Sequence, residues 1–228
     1  MCGRFVSFRK AEELVQYFPI DETACDVIAS YNIAPLQEIP VITQRDGRNI
    51  LDRFHWGLVP AWAKDKSIGN SLINARSETL STKPSFKTAF RRRRCLIPAD
   101  GFYEWKTVTE TGKKQPYFFT LPNENPFAFA GLWEIWTGND EPAHQSCTII
   151  TTEASESVEL IHHRMPVILK PDYYGAWLDA KLQDVTEIQK ILQNGVVAIL
   201  SCRPVSQQVN SARNNVPGNI EGILFMLS

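Results

Sequence analysis

Several things the chain has little of set the first bounds. Its 228 residues carry a formal net charge of only -1, from 24 Lys plus Arg against 25 Asp plus Glu. A protein that coats polyanions without discrimination draws its affinity from a large cationic excess that displaces counterions from phosphates. A nucleic-acid role here must therefore rest on local charge. No apolar run is long enough to span a bilayer; FAFAGLW (residues 127 to 133) and VVAIL (196 to 200) are strand-sized. The five cysteines, Cys2, Cys25, Cys95, Cys147 and Cys202, are odd in number, widely spaced and without a C-x-x-C pair, which speaks against a disulfide framework and a zinc cluster. The N-terminus MCGRFVSFRKAEELV has charge where a signal peptide has its apolar stretch, so Cys2 is not expected to be a lipoprotein cysteine. The expected setting is a reducing cytosol in which free thiols persist.

The rest of the composition is that of a globular protein: 43% hydrophobic and 21% charged, with 12 Gly and 14 Pro scattered along the chain. There is no internal repeat, and the length suffices for a substantial core without disulfides. Charge is unevenly divided. Residues 1 to 120 carry +5 and residues 121 to 228 carry -6, and the tract from Lys64 to Arg94 alone is +7. Aromatics and small turn residues (HWGLVPAW, then SLINAR) lead into that tract, a mixture suited to backbone phosphates and base stacking. For Arg91 to Arg94 by themselves, a solvated surface is the expectation.

Runs rich in β-branched and aromatic residues at 1–8, 39–44, 49–56, 94–105, 115–121, 126–136, 146–151, 165–169, 196–202 and 221–227 predict strands. Asp46-Gly47 and Thr111-Gly112 lie between such runs as hairpin turns would. Helical periodicity is confined to Ala11–Phe18, Tyr173–Leu178 and Val185–Leu192. Strands outnumber helices without alternating regularly with them, which disfavours a doubly wound parallel sheet. The predicted fold class is α+β: a single domain over residues 1 to 228, with a largely antiparallel, barrel-like β core and a few peripheral helices.

Four blocks can carry chemistry. In Met1-Cys2-Gly3-Arg4, removal of the initiator methionine leaves Cys2 as a 1,2-aminothiol. An α-amine with a pKa near 7.7 to 8.0 is substantially unprotonated at neutral pH and adds to aldehydes, after which the thiol closes a five-membered thiazolidine. The other chemistry open to it is that of an N-terminal nucleophile attacking an amide; the plain alternative is an incidental buried cysteine. In Ser71–Thr79, an extended chain would turn Asn74, Arg76 and Glu78 to one face, and Arg76 can fork onto a phosphate; a structural polar network fits the spacing equally. In Asp100–Trp105, Glu104 lies in an apolar run, where burial raises a carboxyl pKa toward that of a proton donor; pairing with an arginine competes with this. In Leu160–Leu169, His162 and His163 stand beside Arg164 before an apolar strand. Adjacent histidines on an extended chain point to opposite faces and no third ligand stands at a telling spacing, so no metal site is expected.

Taken together, Met-Cys-Gly-Arg-Phe at the N-terminus, Tyr31–Pro35 (YNIAP), Trp56–Pro60 (WGLVP), Asn74–Thr79 (NARSET), Ala99–Trp105 (ADGFYEW) and Ile161–Pro166 (IHHRMP) resemble, in order, the blocks of the SRAP (SOS response-associated peptidase) family, with VNSARN at 209 to 214 as a weaker echo. That resemblance implies a sensor and shield of abasic sites in single-stranded DNA, in which Cys2, freed of Met1, forms a thiazolidine DNA-protein crosslink with the ring-opened sugar aldehyde. It implies Cys2 as nucleophile, Asn74 as the amide orienting the amine or sugar, Glu104 as acid/base and His162 as partner of the sugar oxygen. It further implies that Arg4, Arg76 and Arg164 contact phosphates, that Thr151 is a DNA contact, and that Pro35, Trp56 and Gly57 belong to a platform on which bases stack. The family position after the histidine is typically Asp or Asn, and His163 departs from this. No cofactor, metal or membrane partner is implied, and a monomer acting in the cytoplasm, at the nucleoid when bound to DNA, is expected. Two other functions compete: a peptidase whose N-terminal Cys acts on its own leader, and a non-covalent single-stranded DNA binder.

Overall fold

The computed structural model describes residues 2–109, 112–138 and 142–223. Met1, Thr111 of the Thr111-Gly112 pair and most of the 221–227 run lie outside the described residues. The strands in chain order are β1 Phe5–Ser7, β2 Glu22–Thr23, β3 Ser30–Ile33, β4 Glu38–Arg45, β5 Arg48–Trp56, β6 Asn74–Arg76, β7 Arg94–Ala99 and β8 Gly101–Thr107. They continue as β9 Lys114–Thr120, β10 Phe127–Trp136, β11 His144–Glu153, β12 Arg164–Pro166, β13 Ile168–Leu169 and β14 Ser201–Pro204. The helices are α1 Ala11–Leu14, α2 Lys87–Arg92, α3 Glu156–Glu159, α4 Tyr174–Leu178 and α5 Val185–Asn194.

Two sheets form. One has the order β14-β9-β8-β1-β3; the other runs β12-β11-β10-β7-β4-β5-β2. The second sheet closes on itself, because β11 also pairs in parallel with β5 through Ser146↔His55 and Cys147↔Trp56. The ring β4-β5-β11-β10-β7 is thus a five-stranded barrel, antiparallel except at that seam. The expected α+β class and barrel-like core are both observed. Asp46-Gly47 closes the β4–β5 hairpin with φ of 50° and 77°, the left-handed pair that a type I′ turn requires.

Period-2 alternation explains why these strands read as nearly continuous apolar runs: both faces are buried. Val41, Phe54, Cys95, Ile97, Phe129, Cys147 and Ile149 belong to one cluster, which also takes in Cys2 and Phe5. Their neighbours Ile42, Leu96, Ala128, Ala130, Leu132 and Ile150 pack instead with Phe90 of α2, Trp177 of α4 and Ile188 of α5. The helices therefore cover the second face of the barrel strands.

Three sequence expectations change. The 196–202 run forms a strand only from Ser201; before it, Val196 makes an isolated bridge to Leu169. The periodicity over Ala11–Phe18 yields only the single turn of α1. The tetra-arginine run is not a uniform solvated surface. Arg91 and Arg92 are exposed at the end of α2, whereas Arg93 pairs with Glu134 at 2.7 Å. Arg94 is buried and donates to the carbonyls of Phe90, Arg91, Trp177, Asp179 and Leu182, joining α2 to the segment that follows α4. A buried guanidinium with its donors satisfied is tolerated where an unpaired one is not.

Candidate functional site

The register of β1 against β8 brings the chain's beginning to Glu104. Phe5 faces Phe102 and Val6 faces Gly101, and the Tyr103 N–H donates to the Arg4 carbonyl at 3.0 Å. Cys2 lies just before β1, fully buried, and its carbonyl accepts from Asn74 Nδ2 at 2.8 Å. Asn74 itself is placed by β6, which pairs in parallel with β11 so that Asn74 faces Ile149 and Arg76 faces Thr151. On the other edge of β11, Thr151 faces Pro166 and Glu153 faces Arg164. Short strands on either side of β11 thus bring Asn74, Arg76, Thr151 and Arg164 into one neighbourhood.

His162 follows the turn after α3, where the N–H groups of Ile161 and His162 both donate to the Val158 carbonyl. Its Nε2 stands 4.0 Å from Glu104 Oε2. Its Nδ1 lies 3.0 Å from the Arg164 backbone nitrogen and 2.9 Å from the Arg164 carbonyl oxygen. Nδ1 therefore has a backbone partner whether it accepts or donates, and the ring can exchange a proton at Nε2 without reorienting. Because the segment turns here, the rings of His162 and His163 stack at 4.6 Å rather than pointing to opposite faces as expected for an extended chain. Among the described residues no three His, Cys, Asp or Glu side chains converge as metal ligands would.

Burial dominates the electrostatics. It pushes the Glu104 carboxyl up from 4.5 to about 7. Burial lowers the His162 imidazole below its usual range, opposed by its backbone hydrogen bond to Arg164. Burial, reinforced by the Glu104 charge, raises the Cys2 thiol. Near neutral pH the site holds a half-protonated carboxyl, a neutral imidazole and a protonated thiol. Glu104 and His162 open onto a cleft of about 410 Å³ that Trp105, Lys114 and Asn210 complete.

The remaining expected residues separate into exposed and buried. Arg76 is exposed, with no ion pair among the described residues, and is free to meet a phosphate. Arg4 donates through Nη1 to Asn32 Oδ1 at 2.8 Å and to the Val209 carbonyl at 2.9 Å, and lies over the Trp105 ring at 6.0 Å. Arg164 corrects an expectation. Its guanidinium is buried and bidentate to Glu78 at 2.6 and 3.0 Å, and it also donates to the Thr151 carbonyl, so it braces the site rather than offering itself to a phosphate. Glu78 itself stands off the Asn74–Arg76 face, because β6 ends at Arg76 and a 3-10 turn follows.

Thr151 is fully buried, as is Trp56, whose indole donates to the Ile73 carbonyl and packs edge-on against Phe5. Gly57 is buried as well, and a Cβ there would stand 2.8 Å from the Gly69 carbonyl oxygen. Neither Trp56 nor Gly57 can present a face to a base, so the platform expectation fails for both. Half-buried Pro35 remains, followed by Leu36, which is 44% exposed and held at φ 68°. The exposed tryptophan of HWGLVPAW is Trp62, at 59%. Strand alternation carries the signal that separates the two: Phe54 and Trp56 share the inward face of β5, while Trp62 lies beyond Pro60 outside any strand. Trp105, Lys114 and Asn210 were likewise missed. Asn210 does lie within the VNSARN echo, but no local pattern joins residue 210 to residue 104.

The SOS response associated peptidase (SRAP) family matches residues 1–212. Abasic site processing protein YoqW of Bacillus subtilis is 44% identical over 223 residues, covering 97% of this chain and 99% of that protein. Abasic site processing protein HMCES of Gallus gallus is 34% identical over 221 residues, covering 82% of this chain and 64% of that protein. A crystal structure of a Bacteroides thetaiotaomicron protein matches the fold with a TM-score of 0.82 at 24% identity, over 98% of this chain and 100% of that one. A phage-related protein from Bordetella bronchiseptica gives a TM-score of 0.72 at 30% identity, over 90% and 95%. With the family's pattern running through residue 212 and a relative matched over 97% of the chain, this protein belongs to the SOS response associated peptidase (SRAP) family.

Proposed function

We propose that this chain processes abasic sites in single-stranded DNA by a covalent route through Cys2. The observation that carries the reading is a buried Cys2 whose carbonyl is held by Asn74 and whose thiol feels the charge of Glu104, itself 4.0 Å from His162, in a relative of proteins named for abasic site processing. Hydrolytic removal of Met1 frees the Cys2 α-amine. The amine nitrogen adds to the aldehyde carbon of the ring-opened sugar; the hydroxyl so formed takes a proton from Glu104 and leaves as water, giving an imine. The thiol sulfur then bonds to the imine carbon and its proton ends on the nitrogen, closing the thiazolidine with one water released overall. A carboxyl with a pKa of about 7 is matched to both giving and recovering that proton at neutral pH. His162 donates to the sugar oxygen through Nε2. Asn74 Oδ1, buried and without a hydrogen bond among the described residues, accepts from the amine, and Arg76 meets a phosphate.

The raised thiol pKa favours this route over a cysteine peptidase. A thiolate nucleophile is disfavoured there, because burial and the Glu104 charge raise the Cys2 thiol more than the N-terminal amine and the Arg4 backbone lower it. An amine that attacks first leaves the thiol to add as a neutral group. The test is an abasic single-stranded oligonucleotide on a denaturing gel. A heat-stable shifted band is expected with the native chain and none with Cys2→Ala or with Met1 retained. A covalent band at full yield from Cys2→Ala would refute the nucleophile. Equal affinity for intact and abasic strands with no covalent band would make the protein a non-covalent binder, and hydrolysis of a peptide bond beyond Met1 would restore the peptidase.

A further inference from the structure

Besides Glu104, Trp105 and His162, the cleft is lined by Lys114, the first residue of β9, and Asn210, the last residue of the 3-10 turn Gln207–Asn210. Neither has a role in the reaction above. The Asn210 amide is oriented, because Trp105 Nε1 donates to its Oδ1 at 2.7 Å. That leaves the two N–H groups of Nδ2 as what Asn210 can offer a ligand. The turn beneath it is tied down. Val209 is fully buried, and its carbonyl accepts from Arg4 Nη1 at 2.9 Å and from Asn32 Nδ2 at 3.2 Å. Asn32 Nδ2 also donates to the carbonyls of Ser211 and Asn214, at 2.9 and 2.7 Å. Asn210 is therefore a pre-positioned donor rather than a loose surface amide.

Lys114 completes the rim with an exposed ammonium whose charge is felt by both Glu104 and His162. It makes no salt bridge among the described residues. An exposed ammonium and a pre-positioned carboxamide N–H pair that line the same acid/base cleft and offer donors are complementary to an anionic oxygen. A nucleic-acid strand presents such an oxygen on either side of every sugar. We propose that Lys114 and Asn210 form a subsite for the phosphodiester flanking the reacting sugar, specifying a sugar within a strand over a free aldehyde. This rests on the abasic-site reading above.

The experiment follows single-turnover crosslinking over a range of protein concentrations with the native chain, Lys114→Ala, Lys114→Arg and Asn210→Ala. Three abasic oligonucleotides are used: one unmodified, one with an uncharged methylphosphonate 5′ to the lesion and one with it 3′. Loss of a charged hydrogen bond predicts that Lys114→Ala raises the half-saturating concentration on the order of tenfold, with the loss falling there rather than on the limiting rate. Lys114→Arg should recover most of it, and the slope of log affinity against log salt should fall by about 1 in Lys114→Ala. Asn210→Ala should show a smaller loss of the same kind. Methylphosphonate at one of the two linkages should cost the native chain a factor similar to the Lys114→Ala loss, and cost Lys114→Ala little, since both changes remove one contact. Equal losses for native chain and variant at both linkages would overturn the subsite, as would a defect confined to the limiting rate. Failure of the native chain to crosslink the unmodified strand would instead overturn the reading beneath it.

Discussion

Replacing Glu104 with Gln should make the protein more stable at pH 8 while impairing its chemistry. Glu104 is only 4% exposed, and burial lifts its carboxyl from 4.5 to about 7. One pKa unit is about 1.36 kcal/mol, so lifting the carboxyl from 4.5 to about 7 corresponds to roughly 3 kcal/mol by which the folded state favours the protonated form. The folded pKa lies above the unfolded one. The associated stability is therefore fully present below about 4.5 and is lost as pH rises through about 7. Glutamine has the same shape and no charge to bury, so its stability does not follow that curve. The difference between variant and native chain should grow in favour of glutamine by roughly 2 to 3 kcal/mol between pH 5 and pH 8. His162, depressed by burial, works with the opposite sign, losing stability as pH falls; it is present in both proteins, so only the change in its coupling to Glu104, 4.0 Å away, enters the difference. Urea unfolding of the two reduced proteins at pH 5, 6, 7 and 8 measures this directly. A stability difference that stays constant across that range would refute the claim that burial, rather than a compensating cation, sets the Glu104 titration. Crosslink formation by the glutamine variant should be slowed on the order of a hundredfold, the scale of losing a positioned general acid.

Three further outcomes follow from the packing. Gly57→Ala drives a Cβ to 2.8 Å from the Gly69 carbonyl oxygen at a backbone φ of 154°. The cost should be about 2 kcal/mol, seen as a fall of about 4–8 °C in melting temperature, and an unchanged melt would mean the two backbones are not held in contact. Arg94→Ala should cost at least about 3 kcal/mol in chemical denaturation, because carbonyls of five residues lose a charged donor together; a surface-like change under 0.5 kcal/mol would show the site rehydrates freely. The two tryptophans should part company. Trp56→Ala is expected to destabilise by about 3–5 kcal/mol, whereas Trp62→Ala leaves the melt intact and weakens binding of an intact single strand by about 1–3 kcal/mol if a base stacks there. Fluorescence anisotropy on the folded variant reads the second effect, and unchanged affinity would remove Trp62 from the interface.

Much of this protein is legible in one dimension because the information is local. Alternating apolar positions define the barrel strands, Asp46-Gly47 encodes its own left-handed turn, and each chemical block keeps its side chains within a few residues of one another. Hence the strand-rich α+β class and the raised carboxyl of Glu104 could be anticipated from residue type and setting, while Cys2, Asn74, Glu104 and His162 were joined as a set only by the family resemblance of their blocks. Other properties depend on pairings between distant segments. The parallel seam between β5 and β11 closes the barrel across some 90 residues, and no turn or periodicity marks it. Whether a tryptophan or an arginine meets solvent depends on which face packs against what. Trp56 goes inward while Trp62 stays out, and Arg94 is consumed by carbonyls while Arg91 is not. Arg164 turns to Glu78 because the chain leaves β6 into a 3-10 turn, and Asn210 meets Glu104 because Trp105 holds its amide. Sequence alone determined which groups are available and the local shapes of the segments that bear them. Tertiary structure decided which of those groups face each other across a desolvated cleft, because burial and register are properties of pairs of segments and not of either one.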